Sequence, residues 1–297
     1  MSAQSEPWPA VADAIARATG ETLARPRAAP VGGGCINRAF RLETGGGRWF
    51  VKLNGAARLP MFEAEAAGLE AILSSHTLRA PRPICTGLSG GDAFIVLEYL
   101  EIDGGGSAAS ARLGERLAAM HRHAAPRFGW QRDNTIGATP QVNTPSDDWI
   151  SFWRRERLGF QLELAARNGF GGRLQSLGER LLDRCPALFA DYHPFPSLLH
   201  GDLWGGNAAF TQEGEPVVFD PAVYYGDREA DLAMTELFGG FDAAFRAAYR
   251  EAFPLDPGYG VRKTFYNLYH VLNHANLFGG GYAGQAQRMM ERLLAAI

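Results

Sequence analysis

The sequence contains little cysteine and no long apolar run, and each of these absences excludes a class of protein. Cys35, Cys85 and Cys185 are odd in number and far apart, so they match neither a disulfide framework nor a zinc site. No segment approaches the roughly 20 apolar residues that span a bilayer, and the first ten residues lack the basic and apolar parts of a secretion signal. We therefore expect a cytoplasmic protein that does not bind membranes.

The charge is nearly balanced, which argues against nucleic acid as a partner. The chain carries 29 basic and 32 acidic residues, for a net charge of −3. Proteins that bind nucleic acid or an anionic membrane surface usually carry an excess of basic residues. The length of 297 residues and the hydrophobic fraction of 46% are sufficient for a globular protein with two lobes.

Two regions of different character follow each other along the chain. Residues 1–101 contain a glycine-rich hairpin pattern, a helix and an apolar strand, whereas residues 102–297 show mostly helical periodicity. We predict an α/β, two-lobed, protein-kinase-like fold. The small antiparallel sheet lobe binds nucleotide, and the larger helical lobe carries the catalytic loop and the substrate site. The predicted helices cover 8–24, 61–73, 108–123, 151–168 and 173–190, with mostly helix from Arg228 onward. A β-hairpin is predicted within 31–53, and further strands are predicted at 93–100, 197–200 and 216–219.

The strongest chemical signal is the segment LLHGDLWGGNAAF (198–210), which is followed by VVFD (217–220). Phosphoryl transfer from ATP to a hydroxyl needs a proton acceptor, oxygen ligands for Mg²⁺ and positive charge on the phosphates. Asp202 and Asn207 have the spacing of the protein-kinase catalytic loop, in which the aspartate accepts the hydroxyl proton and the asparagine binds Mg²⁺. Asp220, at the end of the next strand, is expected to be a second Mg²⁺ ligand. An Asx-capped turn is the alternative, but the strand, loop, strand and Asp context favours catalysis.

A lysine and a glutamate in the first region complete this pattern. Lys52 ends the alternating strand WFVK, which is where a kinase places its phosphate-binding lysine. The alternative is a solvated lysine on an edge strand, but the neighbouring glycine-rich hairpin and acidic helix favour the functional interpretation. Glu63 or Glu65 is expected to pair with Lys52. We favour Glu65 because it lies four residues before Leu69, so that both share one helix face turned toward the sheet.

The glycine-rich segment GGGCIN (32–37) is a weaker candidate for phosphate binding. Gly33, Gly34 and Cys35 allow backbone N–H groups to approach phosphate oxygens closely. A thiol at Cys35, near Lys52, would have a lowered pKa and could form an intermolecular disulfide that switches activity off. The alternative is an unreactive small residue, given the reducing cytosol. The chain is therefore expected to be a monomer, or a homodimer linked through Cys35.

Adenine is expected to bind where the strand 93–100 ends. Glu98 and Leu100 would present main-chain N–H and C=O groups to the base, an expectation that rests on their position only. The cofactors implied by the whole pattern are ATP and Mg²⁺.

With these residues in place, the chain resembles the fructosamine kinases, also called ketosamine-3-kinases, which are related to aminoglycoside and choline phosphotransferases. The resemblance extends over nearly the whole chain. One departure is Gly205, where the family pattern more often has Ser, at a position that is neither the proposed base nor a metal ligand. The resemblance is carried by GGCIN, FVK, MFEAEAAGLEAI, PRPI, HGDLWGGN, FDPAVYYGDREADLAMTELFGGF and YNLYHVLNHANLFGGGY.

The resemblance implies that ATP phosphorylates the 3-hydroxyl of a ketosamine, a sugar joined to a small-molecule or protein-borne amine by glycation. The resulting ester is unstable and releases the amine, so the activity is a deglycation repair. Trp204 would border the acceptor site, where an aromatic face suits a sugar and attracts a cationic amine. The alternative for Trp204 is packing beneath the loop.

Other functions and roles stay open at this point. A kinase of an aminoglycoside or an amino alcohol is the closest rival, and a nucleotide-binding module without catalysis is a rival of another class. The latter is disfavoured because Lys52, Asp202, Asn207 and Asp220 are all present. Glu229 and Asp231 are expected to order the loop that follows Asp220.

Overall fold

The computed structural model describes residues 7–21, 26–32 and 36–297. The chain divides into two compact units, Met1–Gly105 with Ala209–Asp220, and Gly106–Ala208 with Pro221–Ile297. The helices are α1 (Trp8–Thr19), α2 (Leu59–Ser74), α3 (Ser107–His121), α4 (Trp149–Phe152), α5 (Phe160–Arg167), α6 (Arg173–Arg184), α7 (Glu229–Leu237), α8 (Ala243–Ala252), α9 (Tyr259–Phe278) and α10 (Tyr282–Ala296). The strands are β1 (Arg27–Pro30), β2 (Arg38–Thr44), β3 (Gly47–Gly55), β4 (Pro83–Ser89), β5 (Asp92–Glu98), β6 (Ile102–Asp103), β7 (Asn134–Ile136), β8 (Thr139–Gln141), β9 (Ser197–Leu199), β10 (Ala208–Thr211), β11 (Pro216–Val218) and β12 (Tyr224–Gly226).

The first unit is built on an antiparallel sheet with the strand order β1-β2-β3-β5-β4. A two-glycine turn at 45–46 joins β2 to β3, as the glycine-rich pattern predicts. Because side chains alternate along a strand, Val51 and Leu53 share one face of β3 and pack in a core with α1. Burying each of these two side chains contributes about 1.5–3 kcal/mol. Lys52 lies between them and belongs to the opposite face, which determines where its ammonium group can reach.

The helix α1 ends earlier than the sequence pattern suggests. Gly20 adopts a left-handed φ of 75°, and its N–H donates to the Ala16 carbonyl at 2.9 Å. A glycine in this conformation ends a helix, so the predicted helix over 8–24 was too long. The apolar strand is also shorter than predicted, because β5 ends at Glu98 and leaves Leu100 beyond it.

A second sheet explains why a late segment of chain belongs to the first unit. Its strand order is β11-β10-β6, with Phe210 opposite Asp103 and Thr211 opposite Ile102. The main-chain N–H of Val218 in β11 donates to Arg79 O at 3.0 Å. The division expected at residue 101 treats each lobe as one continuous stretch, whereas these strand pairings join Ala209–Asp220 to the first unit.

The second unit is mainly helical. α3 packs on α8, and α9 packs on α7 and α10. The predicted helix over 151–168 is one helical stretch in which a π-helical segment, Trp153–Gly159, lies between α4 and α5. Among the described residues, none of the helices is both long and apolar enough to cross a bilayer.

The second unit contains a strand, β12, that the sequence analysis did not predict. The predicted strands 197–200 and 216–219 flank a turn, but they do not pair with each other. Instead β9 pairs antiparallel with β12, which the sequence pattern did not reveal. β12 follows Asp220 closely, so the pairing fixes the main chain on both sides of the segment that carries the chemical signal.

Candidate active site

Lys52 lies in the first unit with two carboxylates around its ammonium group. Its Nζ donates to Glu65 Oε1 at 2.6 Å and to Asp220 Oδ1. Glu65 belongs to α2, which begins at Leu59, so the glutamate projects from inside the helix. The pairing is the one favoured from the sequence, and Leu69 on the same helix is fully buried.

Burial and charge oppose each other at Lys52. The residue is 5% exposed, and burial alone would lower the pKa of its ammonium group, but the carboxylates of Asp220 and Glu65 outweigh it and raise that pKa. Burial raises the pKa of the Glu65 carboxyl, while Lys52 opposes this shift. The lysine therefore stays protonated, and it supplies a fixed positive charge of the kind that phosphate oxygens require.

Asp220 is held in an unusual main-chain conformation. Its φ is 50°, in the left-handed region that residues other than glycine seldom adopt, although Asp tolerates it better than most. The residue follows β11, and its carboxylate is 51% exposed despite the bond from Lys52. Main-chain strain of this kind clusters at functional sites, where the surrounding structure maintains it.

The catalytic-loop residues lie in the second unit. The Asn207 Nδ2 donates to the main-chain oxygen of Asp202 at 2.9 Å, and the Asn207 N–H donates to Trp204 O at 2.9 Å. These bonds fold the segment back on itself, so that the residues five positions apart are adjacent. Because the NH₂ end of the Asn207 amide faces Asp202, its oxygen end is turned away from Asp202.

A close main-chain approach fixes the start of this loop. Gly201 has a φ of 83°, and a Cβ atom there would lie 2.0 Å from the carbonyl oxygen of Ala222. The N–H of Ala222 donates to His200 O at 2.8 Å. Only glycine satisfies both the conformation and the available space, so the Gly before Asp202 is required by the fold.

Asp231 holds the same loop from helix α7. Its carboxylate accepts hydrogen bonds from the main-chain N–H groups of His200 at 2.7 Å and Gly201 at 2.8 Å. Its Oδ2 also lies 3.1 Å from His121 Nε2. Burial alone would raise the pKa of Asp231, but these hydrogen bonds and the nearby histidines hold it below its ordinary value.

This role of Asp231 corrects the sequence-based expectation. Asp231 was expected to order the loop after Asp220, whereas it binds the main chain just before Asp202. Its neighbour Glu229 instead forms a buried bidentate pair with Arg262, at 2.7 and 2.9 Å. The partners are about 30 residues apart in sequence, and no local spacing indicates such pairs.

Trp204 presents its side chain outward from the loop. The residue is 42% exposed, so it does not pack beneath the loop. A Cβ atom at Gly206 would lie 2.3–2.8 Å from the indole ring, which places the ring directly over that glycine. The close approach orients the indole while leaving part of it accessible to a ligand.

The residue chemistry fits a bound Mg²⁺. Mg²⁺ prefers carboxylate and amide oxygens, often only one or two from the protein together with phosphate oxygens. In the first unit Asp220 offers a half-exposed carboxylate, and in the second unit Asn207 offers an amide whose donor end is already engaged. The donor types of both residues are therefore suitable.

Glu98 and Leu100, the residues predicted to bind adenine, lie at and just beyond the end of β5. Glu98 accepts hydrogen bonds from Arg79 Nη2 at 3.0 Å and from the Arg82 N–H at 3.2 Å, and Leu100 follows the end of β5. Their contact with adenine stays a prediction. The glycine-rich candidates lie outside the described residues, namely Gly33, Gly34 and Cys35.

Comparison with known proteins places this geometry in a family. The model of the fructosamine kinase family matches residues 7–296. A protein of Synechocystis sp. named "Probable ketoamine kinase" is 50% identical over 97% of each chain. A chloroplastic protein-ribulosamine 3-kinase of Arabidopsis thaliana is 44% identical, over 89% of this chain and 81% of its own.

Solved structures agree in fold. A protein of Haemophilus somnus provisionally named a fructosamine-3-kinase superposes with a TM-score of 0.87, at 27% identity and 97% coverage of each chain. A thermostable mutant of aminoglycoside phosphotransferase APH(4)-Ia gives a TM-score of 0.61 at 15% identity, covering 96% of this chain and 98% of its own. The second likeness concerns the fold alone, and it confirms the predicted α/β, protein-kinase-like class.

Proposed function

The chain belongs to the fructosamine kinase family, and from that premise we propose that this ATP-dependent kinase phosphorylates the 3-hydroxyl of ketosamines. The names of the relatives support the ketosamine as acceptor. The observation that carries the kinase chemistry is the buried Lys52 ammonium with its two carboxylate partners, Glu65 and Asp220. An ion pair of this type orients a lysine toward ATP phosphates in kinases.

Each residue has a defined part in the proposed reaction. Asp202 accepts the proton of the 3-hydroxyl, whose oxygen forms a bond to the γ-phosphorus while the bond to the bridging oxygen of ADP breaks. Lys52 balances the charge on the phosphate oxygens, and Glu65 holds Lys52 in place. Asn207 and Asp220 are the proposed Mg²⁺ ligands, and bound Mg²⁺ would supply additional positive charge to the phosphates. The ketosamine phosphate then breaks down and releases the amine.

Three finer proposals accompany this function. Glu98 and Leu100 present main-chain groups to adenine, and the glycine-rich segment with Gly33 and Gly34 covers the phosphates. Cys35 links two copies under oxidising conditions, as an alternative to a monomer. The cytoplasm is the proposed location, although the Arabidopsis relative is chloroplastic.

The proposed function is tested by measuring ATP consumption with Mg²⁺ and a panel of acceptors. The panel contains ketosamines of fructose and ribulose, several aminoglycosides, and choline. We expect turnover with a ketosamine, and a decrease of at least about a hundredfold in Asp202→Asn, because general bases contribute factors of that size. The exposed Asp183 in the same unit gives a matched control, since Asp183→Asn makes the same chemical change away from the loop.

The outcomes separate the competing functions. Turnover with an aminoglycoside or choline alone would keep the kinase and reject the ketosamine acceptor. No turnover with any acceptor, while ATP still binds, would favour a nucleotide-binding module. A wild-type rate in Asp202→Asn would remove Asp202 from the proposed role.

Trp204 is proposed to contact the sugar or the amine of the acceptor. Its exposed indole can stack on the C–H face of a sugar and attract a cation. We expect Trp204→Ala to raise the KM for the ketosamine about fivefold to thirtyfold while changing the KM for ATP less than twofold, since a cation–π contact contributes about 1–2 kcal/mol. Phe195→Ala removes an aromatic residue of equal exposure, 41%, and serves as control. Equal changes in both KM values would reject acceptor contact.

A further inference from the structure

The loop between α7 and α8 meets the catalytic loop main chain to main chain. A Cβ atom built on Gly240 would lie 2.6 Å from the Cα of Gly205, and one built on Gly205 would lie 3.0 Å from the Cα of Gly240. A side chain at Gly240 would therefore overlap the catalytic loop, whereas one at Gly205 would require the neighbouring loop to shift by a few tenths of an ångström. The contacted atoms are main-chain atoms, so a side-chain rotation cannot relieve an overlap.

The conformation of Gly240 reinforces the requirement. Its φ is 95°, a value that L-residues with side chains rarely adopt. The preceding Gly239 has a similar φ of 78°, but a Cβ atom there would meet nothing within 4 Å among the described residues. Both adjacent glycines thus have a left-handed main chain, but only a Cβ at Gly240 would overlap the catalytic loop. This difference makes Gly239 a matched control for Gly240.

The same helix also holds the other end of the catalytic loop. Asp231, in the first turn of α7, accepts the main-chain N–H groups of His200 and Gly201. The loop that contacts Gly205 begins directly after α7 ends at Leu237. Asp202 lies between these two contacts, so the element α7 with its following glycines limits the movement of the segment on both sides of it.

We propose that Gly240 is a positioning residue: its main-chain contact with Gly205 fixes the position of the loop segment that carries Asp202. This inference rests on the proposed function, in which Asp202 accepts the proton of the acceptor hydroxyl. The carboxylate must lie within hydrogen-bond distance of that hydroxyl in the reacting complex. A displacement of about 1 Å in such a group can cost on the order of a hundredfold in rate.

The kinetic test compares Gly240→Ala with Gly239→Ala. We expect kcat to fall about tenfold to a hundredfold in Gly240→Ala, because the new methyl group pushes the segment that carries Asp202. The KM for ATP should change less than twofold, since Lys52 and Glu65 belong to the other unit. Gly239→Ala imposes a similar backbone cost without the overlap, and it should retain a kcat within about threefold of wild type. Equal losses in the two variants, or a wild-type kcat in Gly240→Ala, would overturn the proposal.

A second readout does not depend on the substrate. Hydrogen exchange at the amides of residues 201–207 should be faster in Gly240→Ala than in Gly239→Ala, because the contact that limits the segment is lost. If wild type shows no ketosamine turnover, the proposed function fails, and this exchange comparison decides the positioning role alone. Unchanged exchange in Gly240→Ala would reject it.

Gly205→Ala tests the same contact if Gly240→Ala does not fold. Its main chain needs no left-handed conformation. Its Cβ would lie 3.0 Å from the Cα of Gly240 and 3.1 Å from the carbonyl oxygen of Gly239, a less severe overlap with the same loop. We expect kcat to fall about threefold to tenfold, and we expect the melting temperature to stay within about 2 °C of that of wild type. A wild-type kcat in Gly205→Ala would reject the proposal.

Discussion

At the scale of single residues, the main feature is the concentration of charge around Lys52. Its ammonium group is buried with two carboxylates, one buried in α2 and one half-exposed after β11. Removing charges from water is costly, and a buried pair contributes stability mainly by avoiding an unpaired charge. The arrangement is therefore better explained by the need for an oriented cation than by stabilisation alone.

Lys52→Met is expected to abolish activity and to destabilise the protein. The substitution leaves Glu65 buried without its cation, which should lower the free energy of unfolding by about 3–5 kcal/mol. Lys52→Met with Glu65→Gln should recover part of this stability and none of the activity. Denaturant unfolding and the ATP assay measure the two properties separately.

Lys263→Met is the control for this prediction. Lys263 pairs with Glu236 at 2.7 Å, but both side chains are considerably more exposed than the Lys52 pair. Its loss should cost less than about 1 kcal/mol. If Lys52→Met unfolds at the same denaturant concentration as Lys263→Met, burial of the Lys52 pair has no energetic consequence.

At the scale of elements, the π-helical segment Trp153–Gly159 places several large side chains in the interior. Trp153 and Arg157 are buried there, and the Arg157 guanidinium lies 4.1 Å from the ring centroid of Tyr224. Arg157 also donates to Asn143 Oδ1 at 2.6 Å. An irregular helical turn of this kind is costly to form and is retained where it positions particular side chains.

Gly159→Ala is expected to destabilise the protein, although Ala normally favours helix over Gly. A Cβ at residue 159 would lie 2.5 Å from the carbonyl oxygen of Arg154, which the π-helical turn brings close. The overlap should lower the free energy of unfolding by about 1–3 kcal/mol.

Gly260→Ala, in α9, is the control, because its Cβ meets nothing within 4 Å among the described residues. It should change stability by less than about 1 kcal/mol, in the stabilising direction. Denaturation midpoints that move together would contradict this prediction.

At the scale of the whole molecule, stability should depend on a buried histidine. Burial, followed by the nearby charge of His274, lowers the pKa of His270 to about 3 from its ordinary 6.5. The charges of Asp231 and Arg157 also act on it, in opposite directions. Between these two pH values the unfolded chain binds a proton that the folded chain does not. The stability contributed by His270 is therefore complete above about pH 6.5 and is lost as the pH falls toward 3.

The expected result is a loss of about 2 kcal/mol from this single group between pH 7 and pH 5. His270→Gln should show a correspondingly smaller decrease in the free energy of unfolding over the same interval. His123→Gln removes an exposed imidazole and serves as the control. An identical pH dependence in all three proteins would show that His270 titrates normally in the folded state.

The lysine content of the whole chain has a further consequence. Lys52 and Lys263 are its two lysines, among 29 basic residues. In glycation the neutral amine attacks the carbonyl carbon of the open-chain sugar. The raised pKa of Lys52 disfavours its neutral form, and its burial limits access of the sugar. We expect incubation with ribose to give lysine-borne adducts at Lys263 only, and none in Lys263→Arg. Peptide mass spectrometry that finds a comparable adduct at Lys52 would contradict this expectation.

The sequence by itself determined the parts of the site that depend on local spacing. The turn at 45–46 and the alternation of β3 follow from short-range rules, and they set Lys52 on the face opposite Val51 and Leu53. The helical period linked Glu65 to the buried Leu69 in the same way. The five-residue spacing of Asp202 and Asn207 likewise indicated two residues that one loop brings together.

Only the tertiary structure decided which distant residues hold that loop. Asp231 binds the His200 N–H across 31 positions, and Gly240 meets Gly205 across 35, through contacts that depend on how α7 packs. The pairing of β9 with β12 is of the same kind, because short strands carry too few side chains to specify a partner. Strand alternation, helical period and turn patterns predict which residues are neighbours within one element. Contacts between elements depend on the packing of the whole core, which no single segment contains.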